Sequence, residues 1–328
     1  MSISPKHASG RRLGRRSVLI GGTALLSAAA FAGCQVWSIT DGLSNLRRTE
    51  ELPTGNGSNT TSPEDPDQGR PVDILLLGSD SRDADADAGE GRSDTLMLLH
   101  LDAAREHAYL ISFPRDMWVE VPGRGESKIN SAYTYGGTKL TARTINELVG
   151  IEIDHAAVID FSGFADLTES VGGVTVKNTQ AFSSHGFDYP KGKITISGKE
   201  ALWFVRERHA LPEGDFDRAA NQRKVVKALV AKVADPATLA NPTRLSQLIG
   251  NLSTYVSVDS GLTNAEILGL ASSMKSAAES LVTLQAPVSG TGMIGGQSVD
   301  IVDDAKMEKL AKALQDDTMD RYAAGEKD

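Results

Sequence analysis

Two apolar segments separated by a short polar one form the clearest pattern in the chain. Apolar residues dominate 95–101 and 108–113, and the connection between them contains Asp, Arg, Glu and His. Two apolar runs around a tight polar connection predict an antiparallel hairpin. The beginning of the first strand would then lie beside the end of the second strand.

Charged residues stand at both of these strand ends. Arg92 and Asp94 lie at the beginning of the first strand, and Arg115 and Asp116 follow the second. The stability of a hairpin does not require charge at this position. The pattern leaves two interpretations open, namely a solvated pair of salt bridges at a sheet edge or one end of an anion site that contains a metal ligand.

The rest of the chain alternates between strand and helix patterns. A buried strand at 72–78 ends just before Asp80, at the end where open α/β sheets bind ligands. Further strands are predicted at 117–121, 156–161, 174–176 and 281–287. Helices are predicted at 138–149, 198–205, 216–233, 242–249, 264–278 and 303–314, and another runs from a Ser162 cap to residue 171. Loops are predicted at 128–130, 133–137 and 177–193. This order predicts the α/β class, with a central mixed β-sheet flanked by helices on both faces as an αβα sandwich.

The N-terminal pattern predicts a membrane segment and a disordered linker before this domain. Residues 1–16 are basic without an acid, and residues 17–40 carry no charge. Such a run can span a bilayer, and the basic flank favours the cytoplasm. Residues 41–70, most of which are Pro, Gly, Ser, Thr, Asn or acidic, predict an extracytoplasmic linker, and residues 71–328 predict the folded domain with a C-terminal helical extension.

A lipid anchor is the alternative to a signal anchor. Residues 31–34 faintly resemble a lipoprotein cleavage site that ends at Cys34, and residues 14–19 faintly resemble a twin-arginine export signal. Either anchor predicts a domain on the outer face of the cell membrane.

Composition and motifs exclude several other classes. The chain has 328 residues with 34 Lys and Arg against 43 Asp and Glu, a net charge of −9, which argues against nucleic-acid binding. One cysteine excludes an intrachain disulfide.

Residues 290–295 match the dinucleotide-binding pattern GxGxxG. A dinucleotide site requires a helix directly behind this pattern, but the residues that follow predict a turn and a strand. We therefore predict a hairpin loop here.

A second charged group, Arg206, Arg208, Arg218 and Gln222, lies in the second half of the chain. Residues two apart share a face only in an extended segment, so Arg206 and Arg208 converge if the preceding helix has ended by Val205. Arg218 lies in the first turn of a predicted helix, where the helix dipole disfavours a cation. The alternative interpretation is simple pairing with the nearby acids, Glu207, Asp215 and Asp217.

These residue types suit a pyrophosphate. Arginine binds phosphate oxygens in a bidentate manner and is charged at any working pH. Asp80 and Asp94 supply the hard oxygen ligands that Mg²⁺ prefers, and magnesium is usually held by one or two carboxylates plus substrate phosphates.

From about residue 72 to 222, and more loosely to 287, the chain resembles the LytR-CpsA-Psr family. The motifs that carry the resemblance are LLLGSDSR, GRSDTLMLLHLD, ISFPRDMWVEVPG, KINSAYTYGG, DFSGFADL, ESVGGVTV, GKEALWFVRERH and DFDRAANQ. The resemblance implies an enzyme that moves a glycan-phosphate from a polyprenyl-pyrophosphate carrier to a cell-wall acceptor, a peptidoglycan hydroxyl or a protein. It implies magnesium on Asp80 and Asp94 and pyrophosphate binding by Arg92, Arg115, Arg206, Arg208 and Arg218. The catalytic residues that it implies are Arg92, Arg115, Asp80 and Asp94. Gln222 is a further candidate, although Asn221 precedes it where the family often has arginine.

Several alternatives remain open. The same chemistry with water as acceptor would make a lipid-pyrophosphate hydrolase, and a non-catalytic scaffold would bind polyprenyl phosphates without changing them. Asp80 and Asp94 are candidates for the base that takes the proton of the acceptor, although a metal-bound carboxylate is a poor base. An apolar groove for the lipid is expected between sheet and helices. Its candidate linings are Trp203, Phe204, Phe161 and Phe164, and ordinary core packing is the alternative and more common explanation of each.

Overall fold

The computed structural model describes residues 46–49, 69–79, 93–235, 241, 247, 250 and 253–325. Several features of the sequence analysis lie outside these residues, namely Asp80, Arg92, Cys34, the membrane segment predicted at 17–40 and nearly all of the helix predicted at 242–249. Among the helices within the described ranges, none is long and apolar enough to cross a membrane.

The strands are β1 (Arg47–Thr49), β2 (Val72–Ser79), β3 (Ser93–Leu101), β4 (Ala108–Phe113), β5 (Trp118–Val121), β6 (Gly125–Lys128), β7 (His155–Asp160), β8 (Val174–Asn178), β9 (Phe182–Ser184), β10 (Phe187–Tyr189), β11 (Gly192–Ile196), β12 (Val256–Asp259), β13 (Val282–Gln285), β14 (Val288–Ile294) and β15 (Gln297–Val302). The helices are α1 (Ser131–Val149), α2 (Phe161–Ser170), α3 (Gly198–Arg206), α4 (Asp215–Val233), α5 (Asn264–Glu279), α6 (Asp304–Gln315) and α7 (Met319–Gly325).

A mixed sheet forms the centre of the described structure, with the strand order β1-β12-β7-β2-β3-β4-β13. β2, β3 and β4 are antiparallel neighbours, whereas β2 with β7 and β4 with β13 are parallel pairs. The hairpin predicted from the apolar pattern is confirmed, because Leu101 pairs with Ala108 and Leu96 pairs with Phe113.

Helices cover both faces of this sheet. Leu75 and Leu77 of β2 pack in one cluster with residues of α1 and α6, including Ile145 and Leu310. The alternate residues of the strands pack in another cluster against α4 and α5. Successive side chains of a strand point to opposite faces, so the continuous apolar runs of β2, β3 and β4 are those of strands buried on both sides. The α/β class with a mixed sheet is confirmed.

The prediction of a loop at 133–137 is wrong. The prediction of a loop at 128–130 is wrong at Lys128, which belongs to β6. Residues 133–137 lie inside α1, where Gly136 and Gly137 have non-helical backbone angles that kink the helix. Ala132, in the turn before these glycines, is fully buried. Packing of that turn against the core keeps it helical. The helix ends at Val149 as predicted, and Gly150 behind it adopts the left-handed conformation.

The loop predicted at 177–193 is also wrong, because this segment forms strands. β8 pairs with β11, and β9 pairs with β10, both antiparallel. The apolar positions are too few to show a period in such short strands. Phe182 and Tyr189 are nevertheless buried against Phe204, and this contact with α3 stabilises β9 and β10.

Two boundaries also differ from prediction. The N-cap of α2 is Asp160, whose carboxylate accepts a hydrogen bond from the Gly163 amide, so the helix begins earlier than the Ser162 cap allows. β1 pairs in parallel with β12, so residues inside the predicted linker already belong to the sheet. The sequence around residues 290–297 is a hairpin of β14 and β15, as predicted, but its turn is limited to Gly295 and Gly296, and residues 290–294 of the predicted loop belong to β14.

Candidate active site

The open end of the β3–β4 hairpin carries the first part of the site. Arg115, just beyond β4, donates from Nη1 to Oδ1 of Asp94 in β3 across 2.6 Å. Both side chains are largely buried, with 19% of each exposed. β2 approaches closely here, since a Cβ added to Gly78 would lie 2.8 Å from Cβ of Thr95. The predicted meeting of Asp94 and Arg115 is therefore confirmed, and it is fixed by tight strand packing.

The turn after α3 carries the second part. α3 continues through Arg206, one residue further than the predicted end at Val205, and Glu207 is extended with φ −66° and ψ 133°. This single extended residue is sufficient to bring Arg206 and Arg208 to the same side. The convergence of the two arginines is confirmed, but the prediction that it requires a helix end by Val205 is wrong by one residue.

The first turns of α4 carry the third part. Arg218 and Gln222 are one turn apart, and each is only 7% exposed. The amide Nε2 of Gln222 donates to the carbonyl oxygen of Val205 at 3.2 Å, which ties α4 to the end of α3.

These three parts enclose a cavity of about 170 Å³. Its lining consists of Asp94, Arg115, Val205, Arg206, Arg208, Arg218 and Gln222. Every predicted site residue within the described ranges therefore lies at one cavity, although the residues come from three separate segments of the chain.

Asp215 is the acid around which three of the arginines gather. Its Oδ1 lies 3.3 Å from Nη2 of Arg218 and 3.6 Å from Nη1 of Arg208, and its Oδ2 lies 3.4 Å from Nε of Arg115. The sequence presents Asp215 only as one of several pairing acids. Its position at the first residue of α4, where the dipole favours a carboxylate, is the signal that could have singled it out. Of the other two pairing acids, Glu207 accepts hydrogen bonds from the backbone amides of Arg208 and Ala210, and Asp217 accepts one from the Glu213 amide.

Burial and neighbouring charge act in opposite directions on the arginines. Burial lowers the pKa of Arg115, but the hydrogen bond and charge of Asp94, with Asp215 and Asp116, raise that pKa above its ordinary value. Burial lowers the pKa of Arg218, and repulsion from Arg115 and Arg208 adds to this in spite of the attraction of Asp215 and Asp94. Arginine stays protonated through such shifts, so both guanidinium groups present positive charge to the cavity.

The oxygen donors of the cavity bear on the predicted magnesium ion. Within the described residues, no group of three or more His, Cys, Asp or Glu side chains is placed to hold a metal, and Asp80 lies outside them. Asp94 uses one carboxylate oxygen for Arg115 and faces the cavity. One or two carboxylates suffice when substrate phosphates complete the coordination, so the oxygen donors present fit magnesium bound together with a phosphate group.

A second cavity, of about 190 Å³, adjoins the first and is apolar. Among its lining residues are Leu77, Met97, Phe164, Leu167, Val226 and Leu229. Val205 and Gln222 line both cavities, so the two meet at the end of α3.

The aromatic residues predicted to line a lipid groove have different positions. Phe164 lines the apolar cavity, whereas Phe204 is fully buried in the cluster with Phe182 and Tyr189. Trp203 stacks on His185. The side chain of Phe161 lies outside the described part of the structure.

The fold and the site define an α/β protein that places an arginine-rich polar cavity against an apolar cavity. The model of the LytR_cpsA_psr family matches residues 43–316, and the chain belongs to this family. TagU of Oceanobacillus iheyensis, named polyisoprenyl-teichoic acid–peptidoglycan teichoic acid transferase, is 35% identical over 218 residues, which cover 60% of this chain and 67% of the relative. TagU of Bacillus anthracis, with the same name, is 31% identical over 286 residues, or 86% of this chain and 91% of the relative. The crystal structure of TagV from B. subtilis has a TM-score of 0.66 and 27% identity, and the match covers 76% of this chain and 98% of that one.

Proposed function

We propose that the protein is an extracytoplasmic phosphotransferase that moves a glycan-phosphate from a polyprenyl-pyrophosphate carrier to a cell-wall acceptor, a peptidoglycan hydroxyl or a protein. The observation that carries this proposal is the junction of the two cavities at Val205 and Gln222. A pyrophosphate with a long apolar tail on one side has the same two chemical parts in the same order. The names of the TagU relatives support the kinds of donor and acceptor.

The arginines would act by neutralising charge. Transfer breaks the bond between the bridging pyrophosphate oxygen and the phosphorus that carries the glycan, and it forms a bond from that phosphorus to the acceptor oxygen. Negative charge develops on the bridging oxygen, which leaves with the lipid phosphate. Fixed guanidinium groups that are partly withdrawn from solvent stabilise this charge. Arg115 and Arg218, held by Asp94 and Asp215, are oriented before the substrate arrives.

Asp94, together with Asp80, would hold the magnesium ion. When bound, the ion would neutralise charge on the phosphate oxygens. The proton of the acceptor hydroxyl must go to a carboxylate, to water or to the leaving phosphate, since arginine cannot act as a base. Asp94 and Asp80 are the candidate carboxylates that the sequence suggests.

The N-terminal segments would tether this domain to its substrate. A signal anchor at 17–40, or a lipid on Cys34, would hold the cavities close to the outer surface of the cell membrane, where a polyprenyl carrier resides.

The test uses the full chain in detergent micelles, because truncation after residue 49 would remove β1 from the sheet. A polyprenyl-pyrophosphate-linked oligosaccharide and a peptidoglycan fragment are supplied with magnesium or with EDTA, and products are identified by mass. We expect a phosphodiester-linked glycan only with magnesium. Released glycan-phosphate alone would indicate a hydrolase, and bound but unchanged lipid under both conditions would indicate a scaffold.

A further inference from the structure

Glu207 is a buried acid between two arginines of the cavity. It is 9% exposed and lies between Arg206 and Arg208 in the chain. A buried carboxylate without hydrogen bonds would be strongly unfavourable, so its partners show what it does.

The carboxylate binds both its own turn and a separate hairpin. Oε1 accepts hydrogen bonds from the backbone amides of Arg208 and Ala210, each at 2.9 Å. Oε2 accepts one from the hydroxyl of Ser184, a residue of β9. Burial raises the pKa of the Glu207 carboxyl, but the Ser184 hydroxyl and the backbone amides lower that pKa by more, so the group is ionised at neutral pH.

The hairpin of β9 and β10, residues 182–189, is itself fixed to α3. Phe182 and Tyr189 pack on Phe204, with ring centroids 5.6 and 5.3 Å apart respectively. At the tip of the hairpin, the imidazole of His185 stacks on the indole of Trp203 with centroids 3.4 Å apart. The tip is therefore a fixed point relative to the end of α3.

Trp203 connects this fixed point to the first of the two arginines. The guanidinium carbon of Arg206 lies over the indole of Trp203, 5.4 Å from the ring centroid. A cation over an indole is attracted to the face of the ring. The indole of Trp203 thus orients the guanidinium of Arg206. Arg208 lies in the turn whose backbone amides donate to the Glu207 carboxylate.

The backbone at Glu207 decides whether both arginines face the cavity. If α3 continued for two more residues, Arg206 and Arg208 would lie roughly 200° apart around the helix axis. The extended conformation of Glu207 instead directs both arginines to one side and its own side chain to the other. The hydrogen bonds of its carboxylate stabilise that conformation.

We infer that Glu207, bound by Ser184, is a positioning residue that directs Arg206 and Arg208 into the cavity and thereby sets its affinity for pyrophosphate. This inference rests on the proposed function in one respect, namely that the cavity binds a pyrophosphate. It assigns the 182–189 hairpin to the site, although no residue of that hairpin lines the cavity.

The test is the affinity of the full chain for inorganic pyrophosphate, measured by calorimetry at a temperature where every variant is folded. We expect Ser184→Ala and Glu207→Ala each to weaken binding about ten-fold, as the loss of a hydrogen bond to a charged group predicts. The double variant should be no weaker than Glu207→Ala, because both changes remove the same contact. Glu207→Gln should stay within about three-fold of the natural chain, since its oxygen can accept from the amides and its NH₂ can donate to Ser184.

Ser183→Ala is the matched control. Ser183 lies on the same hairpin and donates to Asp188 at 2.6 Å on the exposed side, so its removal should leave the affinity unchanged. The inference would be overturned if folded Glu207→Ala protein binds pyrophosphate as tightly as the natural chain does, or if the losses of affinity add in the double variant. Either result would leave the proposed function intact. If Glu207→Ala does not fold, the pyrophosphate affinities of Ser184→Ala and Ser183→Ala are compared. Weaker binding by Ser184→Ala supports the inference, and equal affinities overturn it. A natural chain that binds no pyrophosphate would overturn the proposed function as well.

Discussion

Arg115 and Asp94 are 21 residues apart in the chain and form a hydrogen-bonded ion pair across 2.6 Å. The pair closes the open end of the β3–β4 hairpin, so the apolar pattern that forms the hairpin also places the pair. This bond uses one carboxylate oxygen of Asp94, which also lines the cavity. The guanidinium of Arg115 is at the same time within reach of Asp215, so one residue links two segments of the site.

We expect Arg115→Ala to reduce the rate of glycan-phosphate transfer by about 100-fold or more while the protein stays folded, because one preorganised donor at developing charge contributes about that factor. The rate is measured by mass detection of the product. Arg124→Ala is the control, since Arg124 is exposed and packs over Tyr135. An Arg115→Ala rate equal to that of the control would contradict the role of Arg115.

Removal of magnesium should abolish transfer. Asp94→Asn should then raise the magnesium concentration required for half-maximal rate by at least about ten-fold, because a neutral amide binds the ion more weakly than a carboxylate. The measurement is a magnesium titration of the transfer rate. Asp304→Asn, at an exposed position in the first turn of α6, should leave the titration unchanged. Full activity in EDTA would rule out the metal.

Filling the apolar cavity should separate lipid binding from anion binding. Leu229→Trp inserts a larger side chain into the lining of this cavity. We expect the affinity for a polyprenyl pyrophosphate to fall about ten-fold or more, as lost apolar contact predicts, with the affinity for inorganic pyrophosphate unchanged. Ala231→Trp places the same side chain at an exposed position of the same helix and serves as the control. An equal loss for both ligands would show instead that the variant disturbs α4.

Asp300 should make the protein less stable as the pH rises. Burial, with the charges of Asp116 and Asp215, raises the pKa of Asp300 from 3.8 to about 6. Between these two values the unfolded chain releases the proton and the folded chain keeps it, so the free energy of unfolding falls as the pH increases through this window. The full loss is present above the folded pKa.

Asp300→Asn removes this dependence. Relative to the natural chain, the variant should gain about 2 kcal/mol in the free energy of unfolding between pH 4 and pH 8, which is somewhat less than two pKa units imply once solvent screening is allowed for. Urea unfolding at the two pH values measures the change. Asp304→Asn should show no such gain, and an equal gain in both variants would mean that the effect is one of net charge.

The sequence by itself determined the elements whose apolar pattern is long or continuous. The strands β2, β3 and β4, the helices α4 and α6, and the meeting of Asp94 with Arg115 all follow from local periodicity and from the geometry of a hairpin. One arginine of the cavity was also marked by the sequence, because Arg218 stands in the first turn of a helix, where the helix dipole disfavours a cation.

Only the tertiary structure decided the partners. The gathering of three arginines around Asp215, the hydrogen bond of Ser184 to Glu207, and the junction of a polar with an apolar cavity each join segments that are distant in the chain. The short strands at 182–189 were missed for the same reason, since their stability comes from packing on Phe204. Local periodicity determines which face of an element is buried, but the side chain that meets a charge depends on how elements far apart in sequence pack together.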